Sequence, residues 1–325
     1  MRNSSIKLLL TSFESILFFT PYFDSKGIPW EKVAKKFGLP IAYSDEEVWV
    51  PVKTYSMFLN HMAAICDNDM PIVAGKHAAQ TFIDGKWGII KQGSGFKQVI
   101  SSMMENANLF SRQNEYWFER FNGSWCWCNR SGMKPSYPGS AVNEWFRLSL
   151  LTNICRNWLG NEWSPKSVSV MTSESQGNIY AEILLPNVEV RYGQPSLKLE
   201  LEGVDDLQPM SNHPLCFRDL GDIEKLSDSY CHLPNFTLEW LASLFGVTSK
   251  TLYRYFKDHN TSFNQIKKKS ILNRTCLFLS ETEYPISEIA YRMGYKDVSN
   301  FNRAIKSISG ATPAQLRRNL SDLKR

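Results

Sequence analysis

The sequence lacks the motifs by which most enzymes and membrane proteins are recognised. It contains no Gly-rich phosphate loop, no His-x-Glu deaminase pattern and no pair of carboxylates placed for catalysis. No run reaches the ~18 consecutive apolar residues that a membrane helix needs. We therefore expect no enzyme activity, no cofactor and no membrane association.

Cysteines occur without a metal or disulfide spacing. An odd number of thiols favours reduced side chains in a cytoplasm over a disulfide framework. Cys126 and Cys128 would share one face of a strand, but two further metal ligands are not evident. Ile6 to Phe19 is predicted to be an amphipathic helix of the mature protein, with a signal peptide as the alternative. The seven cysteines are residues 66, 126, 128, 155, 216, 231 and 276.

Charge is distributed unevenly along the chain. Residues 230–325 contain 15 Lys and Arg against 7 Asp and Glu, whereas the remainder contains 22 against 25. A basic C-terminal segment joined to a slightly acidic body predicts nucleic-acid contact through that segment only.

Within the basic segment one pattern occurs twice. In the first copy Thr237 is a predicted helix cap, Gly246 ends the helix, and Thr248 or Ser249 caps a second helix. In the second copy Pro285 precedes a helix, Gly294 ends it, and Asp297 or Ser299 caps the next. Each copy therefore predicts a helix-turn-helix unit, at about 238–257 and about 286–308. A linking helix is expected at about 261–280.

The second helix of each unit has one apolar face and one polar face. Leu252 and Phe256 would pack inward in the first copy, as would Phe301 and Ile305 in the second. The polar faces would enter the DNA major groove. The predicted DNA-binding residues are Lys250, Tyr253, Arg254, Lys257, Val298, Ser299, Asn302, Arg303 and Lys306.

Other interpretations of these patterns remain open. A single helix-glycine-helix pattern also occurs in ordinary bundles, although two copies in a basic segment are far less typical of them. Lys267–Lys269 in the linking helix would contact phosphates, or would form a solvated helix face. Thr312-Pro313 starts a last helix, whose Arg317 and Arg318 could also meet phosphate.

Residues from about 230 to 320 resemble the DNA-binding domain of the AraC/XylS family of bacterial transcription regulators. The sequence departs from the family pattern at Ile271, where the family usually has arginine, and at Thr275, where it usually has alanine. The resemblance implies two recognition helices about one DNA turn (~34 Å) apart. It is carried by Leu241-Ala242, Gly246-Val247, Ser249, Leu252, Arg254, Phe256, Ile289-Ala290, Gly294-Tyr295, Asp297, Phe301, Arg303, Gly310 and Thr312-Pro313.

The first two-thirds of the chain predict an α+β domain. Helices are expected at 5–19, 28–37, 52–67, 70–80, 95–108 and 140–159, and strands at 167–171, 179–184, 188–192 and 196–201. Asn122-Gly123 between alternating aromatic runs predicts a hairpin. This layout more loosely resembles the N-terminal domain of the ornithine- or arginine-responsive branch of the same family.

The predicted fold is therefore an α+β effector-binding and dimerisation domain (1–202), a linker (203–229) with a weak helix near 217–226, and an all-α DNA-binding domain (230–325) with two helix-turn-helix motifs. The resemblance implies a cytoplasmic DNA-binding transcription regulator, an activator that responds to a small-molecule effector and is associated with the nucleoid when bound. Its expected partners are double-stranded promoter DNA, RNA polymerase, the effector and a second copy in a homodimer. An effector-independent dimeric regulator and an enzyme with a DNA-binding module are the alternatives. No ligand-binding residue can be assigned.

Overall fold

The computed structural model describes residues 9–41, 48–202, 204, 209–212 and 220–323, apart from the single residues 87, 92, 112, 122 and 246. The described residues belong to two compact units. The N-terminal unit contains residues 9–41 and those from 50 to 212, and the C-terminal unit contains residues 48–49 and 220–323.

The N-terminal unit combines helices with a mixed sheet, as the sequence predicts. Its helices are α1 (Glu14–Leu17), α2 (Thr20–Ser25), α3 (Trp30–Lys36), α4 (Val52–Ala63), α5 (Met70–Ile83), α6 (Phe96–Asn106), α7 (Ser140–Leu159) and α8 (Glu174–Leu184). The strands are β1 (Leu10–Ser12), β2 (Trp49–Pro51), β3 (Asn114–Phe121), β4 (Ser124–Ser131), β5 (Ser167–Ser169), β6 (Glu189–Arg191), β7 (Leu197–Leu201) and β8 (Met210–Asn212). Trp49, the first residue of β2, is counted with the C-terminal unit.

A six-stranded sheet runs in the order β6-β5-β7-β4-β3-β8, and β1 and β2 form a second sheet of two strands. The predicted hairpin is the β3–β4 pair, in which Phe121 faces Ser124. Gly123 has a φ of 86°, which a glycine adopts without steric cost. Asn122, the other residue of the predicted turn, lies outside the described residues.

Helix α7 lies at the centre of this unit. It begins and ends where the sequence predicts a helix, and it is buried along most of its length. A Cβ added at Gly75 of α5 would lie 2.6 Å from the Cβ of Ser149 on α7. Glycine at this position therefore lets α5 and α7 approach closely.

Two predicted elements of the N-terminal unit are wrong. Leu10–Ser12, inside the helix predicted at 5–19, forms strand β1, whose residues are all buried. Among the described residues 9–19 of that span, only Glu14–Leu17 is helical, and residues 5–8 lie outside the described part of the chain. The strand predicted at 179–184 is the second half of helix α8. Its buried Gly177, Ala181 and Leu184 follow helical spacing, but a short apolar run alone does not distinguish a strand from a buried helix segment.

The C-terminal unit is helical in its described part. Its helices are α9 (Leu220–Tyr230), α10 (Leu238–Leu244), α11 (Ser249–Asp258), α12 (Phe263–Glu281), α13 (Ile286–Arg292), α14 (Val298–Ser309) and α15 (Pro313–Leu323). Helix α12 is the predicted linking helix and contacts α9, α14 and α15. Helix α9 begins within the span predicted as a linker, which also contains strand β8.

Two described residues of the C-terminal unit, Val48 and Trp49, come from far upstream in the chain. Trp49 is 2% exposed, and its backbone N–H donates to Ser229 Oγ on α9 at 2.9 Å. The ammonium of Lys225, also on α9, lies 5.8 Å from the centre of the Trp49 ring. No local sequence pattern predicts this contact, because its two residues lie 180 positions apart in the chain.

The described residues contain no candidate membrane span, since none of their helices combines the length and the hydrophobicity that crossing a bilayer requires. No group of three His, Cys, Asp or Glu side chains among them could hold a metal ion. The six described cysteines are all free thiols, and four of them are buried.

Candidate nucleic-acid interface

The first helix pair of the C-terminal unit is α10 and α11. Thr237 caps α10 as predicted, because its Oγ1 accepts a hydrogen bond from the Trp240 N–H at 3.1 Å. Leu241 and Ala242 are buried on its inner face. The predicted turn glycine, Gly246, lies outside the described residues.

Helix α11 has a buried face and an exposed face. Thr248 is its cap, with Oγ1 accepting from the Thr251 N–H at 3.2 Å. Leu252 and Phe256 are almost fully buried, as predicted from their spacing. The opposite face exposes all four predicted DNA-binding residues, namely Lys250, Tyr253, Arg254 and Lys257.

The second helix pair is α13 and α14, joined by a tight turn. Pro285 precedes α13, whose Ile289 and Ala290 are buried. Gly294 follows the helix with a φ of 79°. A Cβ at this position would overlap the carbonyl oxygen of His232, so both the backbone conformation and the close contact require glycine.

Helix α14 repeats the division into two faces. Asp297 is its cap, and Oδ1 accepts from the Asn300 N–H at 2.7 Å. Phe301 and Ile305 are fully buried. Of the residues predicted to read DNA, Ser299, Arg303 and Lys306 are exposed, whereas Val298 and Asn302 are half-buried.

The two predicted base-reading arginines have different surroundings. Arg303 Nη2 donates to Asn300 Oδ1 at 2.6 Å, and Asn300 Nδ2 donates to Asp297 Oδ2. These bonds orient the Arg303 guanidinium along the first turn of α14. Arg254 is exposed and forms no hydrogen bond or ion pair with another residue that the structure describes. Asn300 was not among the predicted site residues, although its spacing of three from both Asp297 and Arg303 is a usable signal.

The lysine run of α12 is not a uniform phosphate surface. Lys267 Nζ donates to the Phe236 carbonyl at 2.8 Å and lies over the Phe263 ring, and burial lowers the pKa of its ammonium. Lys269 pairs with Glu224 of α9 at 2.9 Å. Lys268 is exposed. Two of the three lysines, Lys267 and Lys269, therefore bond to neighbouring segments of the protein and hold α12 in place.

Arg317 and Arg318 of α15 also differ from each other. Arg317 is half-buried, and its Nη2 donates to the Tyr284 carbonyl at 2.6 Å. This contact ties α15 to the segment ahead of α13 and leaves the Arg317 guanidinium poorly placed to reach a phosphate. Arg318 is exposed.

Comparison with known proteins identifies the C-terminal helices. A family described as "Helix-turn-helix domain" matches residues 241–319. The HTH-type transcriptional activator CsvR of Escherichia coli is 34% identical over 79 residues, which are 24% of this chain and 30% of that protein. The transcriptional activator RhrA of Rhizobium meliloti (strain 1021) is 28% identical over 86 residues, 26% of this chain and 27% of that protein.

A solved structure is also similar to part of this chain. The C-terminal domain of AraT, a response regulator from Geobacillus stearothermophilus, is 31% identical, with a TM-score of 0.26, over 30% of this chain and 84% of that chain. The chain thus spans about 30% of the length of the first curated relatives that it matches.

Proposed function

We propose that the protein is a sequence-specific DNA-binding transcription regulator, because its C-terminal region is an AraC-type helix-turn-helix domain. The observation that carries the proposal is the pair of capped helices α11 and α14, each with a buried apolar face and an outward polar face. The matched relatives CsvR and RhrA are named transcriptional activators, which supports an activator.

The proposed interface is the set of outward residues on the two helices. Arg254 and Arg303 are the proposed guanine or phosphate contacts, because the arginine fork fits the O6 and N7 edge of guanine. Lys250, Lys257 and Lys306 neutralise phosphates and so make binding salt-dependent. Tyr253, Val298, Ser299 and Asn302 complete the proposed contacts with bases and the sugar-phosphate backbone.

The remaining roles concern the whole protein. In this proposal the N-terminal unit binds a small-molecule effector or mediates homodimerisation, and the effector shifts the population of a DNA-competent state. RNA polymerase is the expected partner at the promoter. The protein acts in the cytoplasm, associated with the nucleoid when it is bound.

Genome-wide binding of the tagged, full-length protein in its native cell tests the proposal. We expect discrete peaks that share a two-part motif, with the halves about one helical turn apart. The double variant Arg254→Ala/Arg303→Ala, expressed at the same level, should lose these peaks. Diffuse binding by the wild type under every growth condition would contradict a DNA-reading role.

A further inference from the structure

The N-terminal unit contains a cavity of about 70 Å³. A cavity needs a volume of roughly 10–15 Å³ to hold one water molecule, so this cavity has room for several non-hydrogen atoms. Helices α1, α5, α6 and α7 and strands β3 and β4 contribute to its wall. Most of that wall is aromatic or aliphatic, and it includes Phe18, Phe82, Phe110, Phe146, Ile89 and Leu150.

Arg147 of α7 lines this apolar cavity and is only 4% exposed. Its Nε donates to Asn129 Oδ1 at 2.8 Å, but its Nη1 is buried without a hydrogen-bond partner. A buried guanidinium with an open donor is costly, because its lost hydration is not replaced. The side chain therefore has an unfilled requirement for an acceptor, best met by an anion.

No described carboxylate supplies that anion. Glu144, the buried acid nearest along α7, accepts from the Met171 N–H and the Thr172 N–H at 2.8 Å each. Burial raises the pKa of the Tyr55 and Tyr116 phenols, so these two neighbours of the guanidinium are neutral at physiological pH. The positive charge of Arg147 is thus unmatched by the part of the chain that the structure describes.

Two further buried polar atoms belong to residues of the same wall. Trp127 Nε1 and Asn114 Oδ1 both lack a hydrogen-bond partner, and both residues are less than 5% exposed. Buried polar groups in folded proteins are almost always satisfied. A cavity whose wall includes three residues with such atoms is more consistent with a ligand site than with a packing defect.

We propose that this cavity binds a small monocarboxylate with an apolar or aromatic body, whose carboxylate is held by Arg147. One guanidinium matches one carboxylate in charge and in its two-point geometry. A dianion would leave a buried negative charge, and a neutral molecule would leave the guanidinium unpaired. The unbranched side chains of Met103 and Met104 let the wall adapt to the shape of the apolar body.

The assignment of this ligand as the effector rests on the proposed regulatory function, whereas its binding to the cavity does not. The first experiment therefore measures binding alone, by calorimetric titration of the full-length protein with benzoate, 3-phenylpropionate and hexanoate. Benzamide serves as the neutral match to benzoate. We expect saturable binding of at least one carboxylate and at least ~10-fold weaker binding of benzamide than of benzoate.

Variants assign the binding to the cavity. Arg147→Met retains the apolar volume and should weaken carboxylate binding at least ~10-fold. Arg147→Lys retains the positive charge but not the planar guanidinium that can donate two parallel hydrogen bonds to one carboxylate. It should therefore give an intermediate affinity for the carboxylate. Arg130→Met removes an exposed arginine of β4 that pairs with Glu115 outside the cavity wall, and it should leave the affinity unchanged.

The outcomes separate this proposal from the regulatory one. Absence of binding by all three carboxylates at about 10 mM, or equal binding of benzoate and benzamide by the wild type, would overturn it even if Arg147→Met fails to fold. Carboxylate binding by a protein that never binds DNA would uphold the cavity site and refute the regulator. Loss of carboxylate binding in Arg130→Met equal to that in Arg147→Met would also count against the cavity.

Discussion

The two helix-turn-helix units of the C-terminal region have the same frame but different surfaces. In both, a small alanine is buried on the first helix and two large side chains at i and i+4 are buried on the second. In both, a side-chain oxygen caps the second helix. The two units therefore share the buried residues that helix packing requires and the cap that starts the second helix.

The outward faces of α11 and α14 differ in their charge and in how firmly their arginines are held. Helix α11 presents three cations and the exposed Tyr253, whereas α14 presents two cations among smaller polar and apolar residues. Arg303 is held by Asn300, but Arg254 has no such support among the described residues. We infer that the first unit contributes more to salt-dependent affinity and the second more to sequence discrimination.

The largest expected effect concerns the turn of the second unit. Gly294→Ala should lower the local stability of α13 and α14 by roughly 3 kcal/mol, because it combines a left-handed backbone with overlap on the His232 carbonyl. Gly310→Ala is the matched control, with the same φ of 79° and no atom within 4 Å of the added Cβ. It should cost only about 1–2 kcal/mol.

Hydrogen exchange of the α13 amides measures both glycine variants without requiring the whole chain to unfold. If both variants lost the same amount of local stability, the overlap with the His232 carbonyl would add nothing to the cost of the backbone strain.

The second prediction tests the division of labour between the two faces. Arg254→Ala should cost roughly 1–3 kcal/mol of operator binding. Lys257→Ala should weaken binding to all sequences and reduce the salt slope by about 1. Asn302→Ala should relax base preference and leave the salt slope unchanged. Titrations of operator and unrelated DNA over a salt series check all three.

Lys76→Ala, at an exposed position of α5 in the N-terminal unit, is the control for lost charge and should leave DNA affinity unchanged. If Asn302→Ala altered the salt slope as strongly as Lys257→Ala, the proposed division between the two faces would be wrong.

Acidification should lower the stability of the C-terminal unit through His232. The carbonyl oxygen of this residue lies next to Gly294, in the turn between α13 and α14. Burial lowers the pKa of its imidazole to about 3, below the ordinary 6.5. The unfolded chain then binds a proton near pH 6.5 that the folded chain binds only near pH 3. Stability is therefore present above about 6.5 and is lost as the pH falls towards 3.

His232→Gln removes this titration. Between about pH 7 and about pH 5, the variant should lose about 2 kcal/mol less stability than the wild type, measured by denaturant unfolding of the C-terminal unit. An identical pH dependence in both proteins would show that other groups cause the acid sensitivity.

The smallest effect compares the two helix caps. Asp297→Ala should destabilise α14 by about 1 kcal/mol, and Thr248→Ala should destabilise α11 by about 0.5 kcal/mol. The aspartate is expected to matter more because its bond is shorter, 2.7 Å against 3.2 Å, and because its negative charge lies at a helix N-terminus. Exchange rates in the first turn of each helix give the comparison, and a larger loss in Thr248→Ala would contradict it.

Local patterns predicted much of this protein, but not all of it. Caps, the turn at Gly294 and the buried pairs of α11 and α14 follow from spacing and from side-chain chemistry within one helix. The α7 helix and the β3–β4 hairpin were also predicted, because each depends on a long periodic segment or on a specific turn. The strand at Leu10–Ser12 and the helix through 179–184 were mispredicted, because short apolar runs fit either structure.

The sequence by itself determined the two helix-turn-helix units and their outward faces, because these depend on contacts only three or four residues apart. Only the tertiary structure decided which polar residues already bond to other parts of the protein. It placed Lys267 on the Phe236 carbonyl, Arg317 on the Tyr284 carbonyl and Trp49 against α9. It also placed Arg147 at an apolar cavity with an open donor, since burial and pairing arise from segments that meet only when the chain folds.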